Sequence, residues 1–277
     1  MTGTGNQRWR DRKTSMRPSD PIDTSKYEVV AIAEDKPVKT FVERHHYSAS
    51  YPAARARILL YRSGEIVGAA VFSHPASESV LARLPCERMA GVELGRFVLL
   101  DDVPGNGETW FLARCFAHLR SVGIECVLSH SDPMPRRAEN GNVVMPGHVG
   151  TIYQATNAVY AGRARAQVMN LLPDGTCFSE RSMSKIRSAE RGWERECRVL
   201  VKHGASPSLL EAGGKQGDPR WQARRDWMWQ ALAQVCRRVD HAGNHRYLWA
   251  LDKHLRRDVA RMKSSNGYPK QTDAEAA

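Results

Sequence analysis

Residues 57–73, RILLYRSGEIVGAAVFS, constrain the fold most. Two strand-like runs are split by Ser63-Gly64, a two-residue turn signal, and this pattern predicts an antiparallel hairpin. The rest of the chain must therefore pack on a sheet. Ahead of the hairpin, YEVVAIA from Tyr27 predicts a short strand, and residues 36–47 (KPVKTFVERHHY) set Val38, Phe41 and Val42 at helical spacing. After it come a short helix in SESVLARL, a buried strand VELGRFVLL, a glycine-rich loop VPGNG and an amphipathic helix ETWFLARCFAHLRSVG. A strand ECVLS and a polar turn HSDP come next, then a helix over residues 150–160 and two strands around the Pro-Asp-Gly turn of VMNLLPDGTCFSE. The order is that of a mixed α/β (α+β) sheet with an antiparallel first half.

Beyond residue 215 two basic helical stretches are expected, WQARRDWMWQALAQVCRRV and HRYLWALDKHLRRDVARM. The boundaries read from these patterns are a disordered basic arm over 1–25, a main domain over 26–205, a basic helical extension over 206–265 and a disordered tail over 266–277.

Charge is segregated along the chain. Residues 1–20 carry five basic and two acidic side chains, 21–180 sixteen and seventeen, and 181–277 twenty and eleven, within a net charge of +11. A neutral middle between basic flanks points to a polyanion such as nucleic acid. No apolar run approaches the roughly 18–20 residues that span a bilayer, and the first residues lack the apolar stretch of a signal peptide, so a cytoplasmic protein without a membrane partner is expected. The six cysteines form no CxxC pair or zinc-finger spacing and read as free thiols.

The succession of elements resembles the Gcn5-related N-acetyltransferase (GNAT) superfamily. The resemblance implies that VELGRFVLL is a central strand splaying from ECVLS to open a wedge. There Phe97, Val98 and Leu99 would offer backbone groups to an acyl carrier such as acyl-CoA. Gly105, Asn106 and Gly107 would lie at its pyrophosphate, beside a helix N-terminus. VPGNGE lacks the leading Arg or Gln of the acetyltransferase loop, and its glycines fit a plain turn equally well.

Three stretches are more specific: HHYS at 45–48, ELGRF at 93–97, and SDP at 131–133 with GHVGTIYQATNAVYAG at 147–162. With RSMSKIR at 181–187 they resemble the Mom family of phage DNA-modification proteins over about residues 27–205. That resemblance implies a transferase adding a carbamoylmethyl-type group to N6 of adenine in double-stranded DNA, which protects phage DNA from host restriction. The alternatives are an acyl-CoA-dependent N-acyltransferase acting on another amine, and a non-catalytic DNA-binding protein on the same scaffold. The basic flanks suit an RNA-linked donor as well as DNA. In the family pattern Asp-Pro lies close before Gly-His, whereas here residues 134–146, read as a surface loop with Arg136 and Arg137, separate them.

The resemblance assigns catalytic roles to Tyr47, Arg96, Asp132 and Tyr153, and an iron-ligand set to His46, Tyr47 and Tyr153. Read from the residues alone, adjacent histidines at a helix C-terminus equally suit the helix dipole. Tyr153 equally suits a core aromatic, and Asp132 before Pro133 equally suits a structural turn. Arg96 interrupts an apolar strand and needs a partner, for which Glu93 is the candidate. His148 between two glycines either orients its loop or touches substrate. Arg136, Arg137, Ser182, Ser184, Lys185 and Arg187 are the candidate DNA contacts, with a solvated strand edge the other reading of RSMSKIR. The paired arginines of the C-terminal stretch, Arg224-Arg225 among them, extend that basic surface, and its tryptophans are read as packing.

Overall fold

The computed structural model describes residues 21–75, 78–82, 84–207 and 209–270. The expected N-terminal arm lies outside them except for residues 21–25, as does the expected tail beyond residue 270. Along the chain come β1 (Tyr27–Ala31), α1 (Asp35–His45), β2 (Ala54–Arg62), β3 (Glu65–Ser73), α2 (Glu78–Leu81), β4 (Gly91–Leu99), α3 (Gly107–Ser121) and β5 (Cys126–Ser131). Next are β6 (Arg136–Arg137), β7 (Val143–Met145), α4 (Thr151–Ala155), β8 (Val159–Arg163), β9 (Gln167–Leu171) and β10 (Cys177–Phe178). The last elements are α5 (Glu180–Ser188), α6 (Trp193–Lys202), α7 (Pro219–Val235), β11 (Arg237–His241), β12 (His245–Ala250) and α8 (Arg256–Arg261).

The fold is mixed α/β. The described residues divide into two compact units, the first lying within 21–134, 145–164 and 244–270, the second within 135–144 and 165–243. The expected boundary at residue 205 is thus not where the chain divides.

In the first unit seven strands run in the order β1-β2-β3-β4-β5-β12-β8. Every neighbouring pair is antiparallel except β4 and β5. The predicted hairpin is β2–β3, with Ser63 and Gly64 both at positive φ. Alternation in β2 divides its side chains between two faces. Ile58 and Leu60 join Phe111, Leu112 and Leu119 of α3, while Leu59 joins Val38, Phe41 and Val42 of α1.

β4 carries a bulge. Val71 of β3 faces Arg96 and Phe72 faces Leu94, so Gly95 is the extra residue. A bulge reverses the facing of the residues beyond it. Leu94 therefore packs on the α3 side, whereas Arg96 shares the α1 side with Val98. A Cβ at residue 95 would meet Ser73 Oγ at 2.7 Å, so any larger residue there would require Ser73 to turn away.

Two expected helices are corrected. HRYLWA forms strand β12, inserted between β5 and β8. Its alternation puts Tyr247 and Trp249 into the α3-side core and Leu248 into the opposite cluster. The helix expected over 150–160 is only α4, because Asn157 adopts φ 59° and the chain continues as β8.

In the second unit, β10-β9-β11 form a three-stranded sheet. Leu172, Phe178, Met183, Ile186, Leu200, Met228 and Leu232 build its core with α5, α6 and α7. The stretch 134–146, expected as a plain loop, contains the β6–β7 hairpin.

Arg224, expected on a basic surface, is fully buried. Its guanidinium donates to Ile186 O (3.0 Å), to Arg187 O (3.0 and 3.2 Å) and to Glu211 O. It thereby adds a donor to the carbonyls at the end of α5 and ties them to Glu211 O. Arg225 is exposed, over the Trp221 ring at 5.8 Å. Arg224→Leu is expected to destabilise the chain by about 2–4 kcal/mol, and Arg225→Leu by less than about 1 kcal/mol. Urea unfolding curves check this, and equal midpoints for the two variants would contradict the assignment.

Candidate active site

The parallel ladder between β4 and β5 is short. Gly91, Val92 and Glu93 pair with Cys126, Val127 and Leu128, and pairing stops there although both strands run on. Side chains take over at the break. Ser129 Oγ donates to Leu94 O at 3.1 Å, and His130 Nδ1 lies 2.9 Å from Glu93 Oε1. Glu93 is therefore hydrogen-bonded to His130 and not to Arg96. Arg96 instead donates through Nε to Ser50 O (2.8 Å) and through NH2 to Ser50 Oγ (2.7 Å), in the loop after α1.

Past the break, β4 keeps one open edge. Leu100 N–H donates to Val67 O at 2.9 Å, which makes Leu100–Val67 a hydrogen-bonded pair of the β3–β4 ladder. Antiparallel alternation then turns the backbone groups of Val98 toward β3 and those of Phe97 and Leu99 toward the gap beside β5. Their side chains are occupied in packing: Phe97 stacks on Phe111 at 5.6 Å, and Val98 and Leu99 are buried. Of the three expected carrier contacts, Phe97 and Leu99 thus present backbone to the gap, and Val98 does not.

The loop at 105–107 fits a pyrophosphate less well. Asn106 Oδ1 accepts Ile22 N–H at 2.8 Å, and Gly107 N–H donates to Pro104 O at 2.8 Å. Gly107 is required by packing, since a Cβ there would meet Val103 Cγ1 at 2.5 Å. The open edge suits the arm of an acyl carrier, while these loop groups are spent on the loop itself.

Four of the expected residues, His46, Tyr47, Arg96 and Tyr153, converge at the mouth of the splay, with His148 among them. Tyr47 Oη lies 3.5 Å from His148 Nε2, and the His148 ring is edge-on to Tyr153 at 6.3 Å. The His46 ring lies 4.2 Å from that of Tyr47. Ser48 N–H donates to His46 Nδ1 at 3.2 Å, which leaves the ring proton on Nε2. Asp132 faces His148 and not Tyr153. Its carbonyl accepts His148 N–H at 2.8 Å and its Oδ1 accepts Met134 N–H at 2.9 Å.

Burial, with Arg96 and His148 adding to it, brings His46 down to about 3. Burial brings His148 down to about 4 against the opposing pull of Asp132. Both imidazoles are neutral at neutral pH. Burial also pushes the Tyr153 phenol up, against a hydrogen bond with Ser129, so it stays protonated. The Arg96 guanidinium is lowered by burial and favoured by Tyr47, Glu93 and Tyr153.

The described residues contain no group of three His, Cys, Asp or Glu placed to hold a metal ion. No step is assigned to iron.

RSMSKIR also departs from expectation, forming helix α5 with its polar groups spent locally. Ser182 N–H donates to the capping Ser179 Oγ at 3.1 Å, and Ser184 Oγ lies 3.4 Å from Glu190. Lys185 pairs with Glu196 at 3.3 Å and Arg187 with Glu180 at 2.7 Å. Arg137 in β6 folds back on Gly141 O at 3.1 Å, and Arg136 is half-buried.

Sequence reasoning missed Ser129, the Glu93–His130 pair and the buried His245. His245 Nδ1 lies 2.9 Å from Tyr160 Oη, and its signal was hidden by the helical reading of HRYLWA. Tyr160 is buried, with its hydroxyl engaged there.

A family model described as the Mom protein family matches residues 26–270. No curated protein matches the sequence. Among solved structures the chain is similar to a GNAT family N-acetyltransferase from Escherichia coli in complex with CoA, at 12% identity and TM-score 0.33, covering 51% of this chain and 72% of that one. It is also similar to N-acetylglutamate synthase from Neisseria gonorrhoeae complexed with coenzyme A and N-acetyl-glutamate, at 10% identity and TM-score 0.34, covering 82% and 35%. A tandem GNAT protein from the clavulanic acid biosynthesis pathway matches at 10% identity and TM-score 0.41, covering 82% and 99%.

The histidines make a pH prediction. Unfolded, each takes up its proton near pH 6.5, whereas folded His46 does so at about 3 and His148 at about 4. The stability they contribute is complete above about pH 6.5 and is lost as the pH falls toward those folded values. His46→Gln is expected to lessen the loss of stability between pH 7 and pH 5 by on the order of 1–2 kcal/mol. Urea midpoints at the two pH values test this, and an identical loss in both proteins would contradict it.

Proposed function

The chain belongs to the Mom protein family, and from that premise and the geometry at the β4–β5 mouth we propose that it is a transferase placing a carbamoylmethyl-type group on N6 of adenine in double-stranded DNA. Such a change would protect phage DNA from restriction. The observation that carries the reading is the convergence of a neutral histidine, two tyrosines and an arginine where the sheet opens. The donor we assign to the open edge of β4 is an activated carrier with a coenzyme A-like arm. When bound, it would supply an electrophilic CH2 carbon, the N6–CH2 bond forming as the bond from that carbon to the carrier breaks, because attack on an acyl carbonyl would give an amide instead.

The N6 amine is a weak nucleophile because its lone pair is delocalised into the purine ring. It needs close positioning and a proton acceptor. His148 is the group placed to accept: its imidazole is neutral at neutral pH, and although burial weakens it as a base, Asp132 behind it favours the imidazolium. Tyr153 keeps its proton and is suited to give it to the departing group. Arg96, anchored on Ser50, lends positive charge between Tyr47 and Tyr153. An adenine in a duplex would have to leave the stack to reach these groups.

The experiment is co-expression with a plasmid, digestion of the DNA to nucleosides and mass spectrometry. Wild type is expected to give adenosine with added mass, and Tyr153→Phe about one-hundredth as much. Adenosine of unchanged mass in the wild-type sample overturns the reading.

A further inference from the structure

The charge surplus has a definite place once the two units are known. The second unit carries sixteen basic and ten acidic residues, or +6 of the net +11. Most of the cations expected to contact DNA through RSMSKIR are committed to ion pairs inside that unit, and Arg224 is buried under carbonyls. A backbone-binding surface must be built from cations that are exposed and not already paired.

Helix α6 supplies them. Arg195, Arg198 and Lys202 stand at i, i+3 and i+7, the spacing of one helix face. Arg191 precedes them just ahead of the helix. All four are exposed, and none of their side chains makes a hydrogen bond or ion pair with another described residue. Two acidic neighbours are engaged elsewhere: Glu196 pairs with Lys185, and Asp174, within electrostatic reach of Lys202, pairs with His203. Glu194, exposed and four residues before Arg198, borders the ridge, which so carries one carboxylate beside four cations. The apolar side of α6 is spent on the core, where Trp193 and Leu200 are buried. The cationic side is therefore a fixed outer ridge on a packed helix.

Its length suits a phosphodiester strand. Seven residues of helix rise about 10.5 Å, close to the roughly 10 Å that four successive phosphates of one strand, three steps apart end to end, span along a duplex.

We infer that the α6 ridge of Arg191, Arg195, Arg198 and Lys202 is a contact surface for the backbone of double-stranded DNA. The inference rests on the reading of the chain as a DNA-modifying protein, and it names the surface that holds the substrate. Contact is with phosphates, so this surface adds affinity without sequence preference.

The test is the salt dependence of binding to a labelled duplex of mixed sequence, measured by fluorescence anisotropy between roughly 50 and 200 mM salt. The triple variant Arg195→Gln, Arg198→Gln, Lys202→Gln is expected to lower the slope of log affinity against log salt by about 2–3. The double variant Arg195→Lys, Arg198→Lys, which keeps the charge, should retain the wild-type slope. Lys185→Gln with Arg187→Gln should leave the slope within about one unit of wild type. An unchanged slope in the triple variant, or a loss confined to the Lys185/Arg187 pair, overturns the inference. The nucleoside mass of co-expressed plasmid is read separately. Added mass with an unchanged slope removes the ridge alone, whereas unmodified adenosine with a lowered slope removes the catalytic reading and keeps the ridge.

Discussion

The ladder between β4 and β5 ends after Glu93 and Leu128, and the site depends on that ending. A parallel pair that stopped without compensation would leave backbone donors and acceptors buried and unpaired, at a cost of about 1–3 kcal/mol each. Here Ser129 takes the first carbonyl and the Glu93–His130 pair spans the mouth, so the gap opens as a formed feature. The bulge at Gly95 then turns Arg96 to the α1 side, where Ser50 holds it. Residues from both faces of the sheet meet only because the strands have parted.

What holds Tyr153 there is mostly non-local. α4 has five residues, too few to persist by helix propensity. Gln154 Nε2 donates to Val149 O, to Tyr247 Oη and to Pro269 O, while Trp249 Nε1 donates to Thr156. Tyr268 Oη reaches Ala158 O at 2.7 Å. β12 and the segment after α8 thus fix a helix whose residues lie about a hundred positions earlier. Gly150 completes the arrangement, with φ 73° and no room for a Cβ, which would fall 2.7 Å from both Tyr153 and Tyr247.

Much of this was legible in the sequence, for physical reasons that differ by residue. The hairpin of β2 and β3 announces itself through local turn chemistry at Ser63-Gly64, and β4 through its apolar run. HHYS, SDP and GTIYQ marked residues that do come together. The misreadings share a cause, because local pattern is silent about distant partners. HRYLWA preceded a helix-like stretch and its period of two was absorbed into it. RSMSKIR looked open to phosphate because its carboxylate partners, Glu180, Glu190 and Glu196, are identified only by the fold. Arg224 and Arg225 are chemically identical neighbours with opposite fates, set by which face of α7 each occupies. The glycines at 105 and 107 suggested a phosphate loop, yet Gly107 is there to pack on Val103.

The parted strands are the central claim, and amide hydrogen exchange along β4 tests it most directly. Phe97 and Leu99 point their N–H groups into the gap, whereas Val98 and Leu100 point theirs at β3. Slow exchange is expected at Val98 and Leu100 and fast exchange at Phe97 and Leu99, with the latter two slowing when coenzyme A is added. Equal protection of all four amides in the protein alone would mean that the ladder continues past Glu93, and would contradict the parting of the strands.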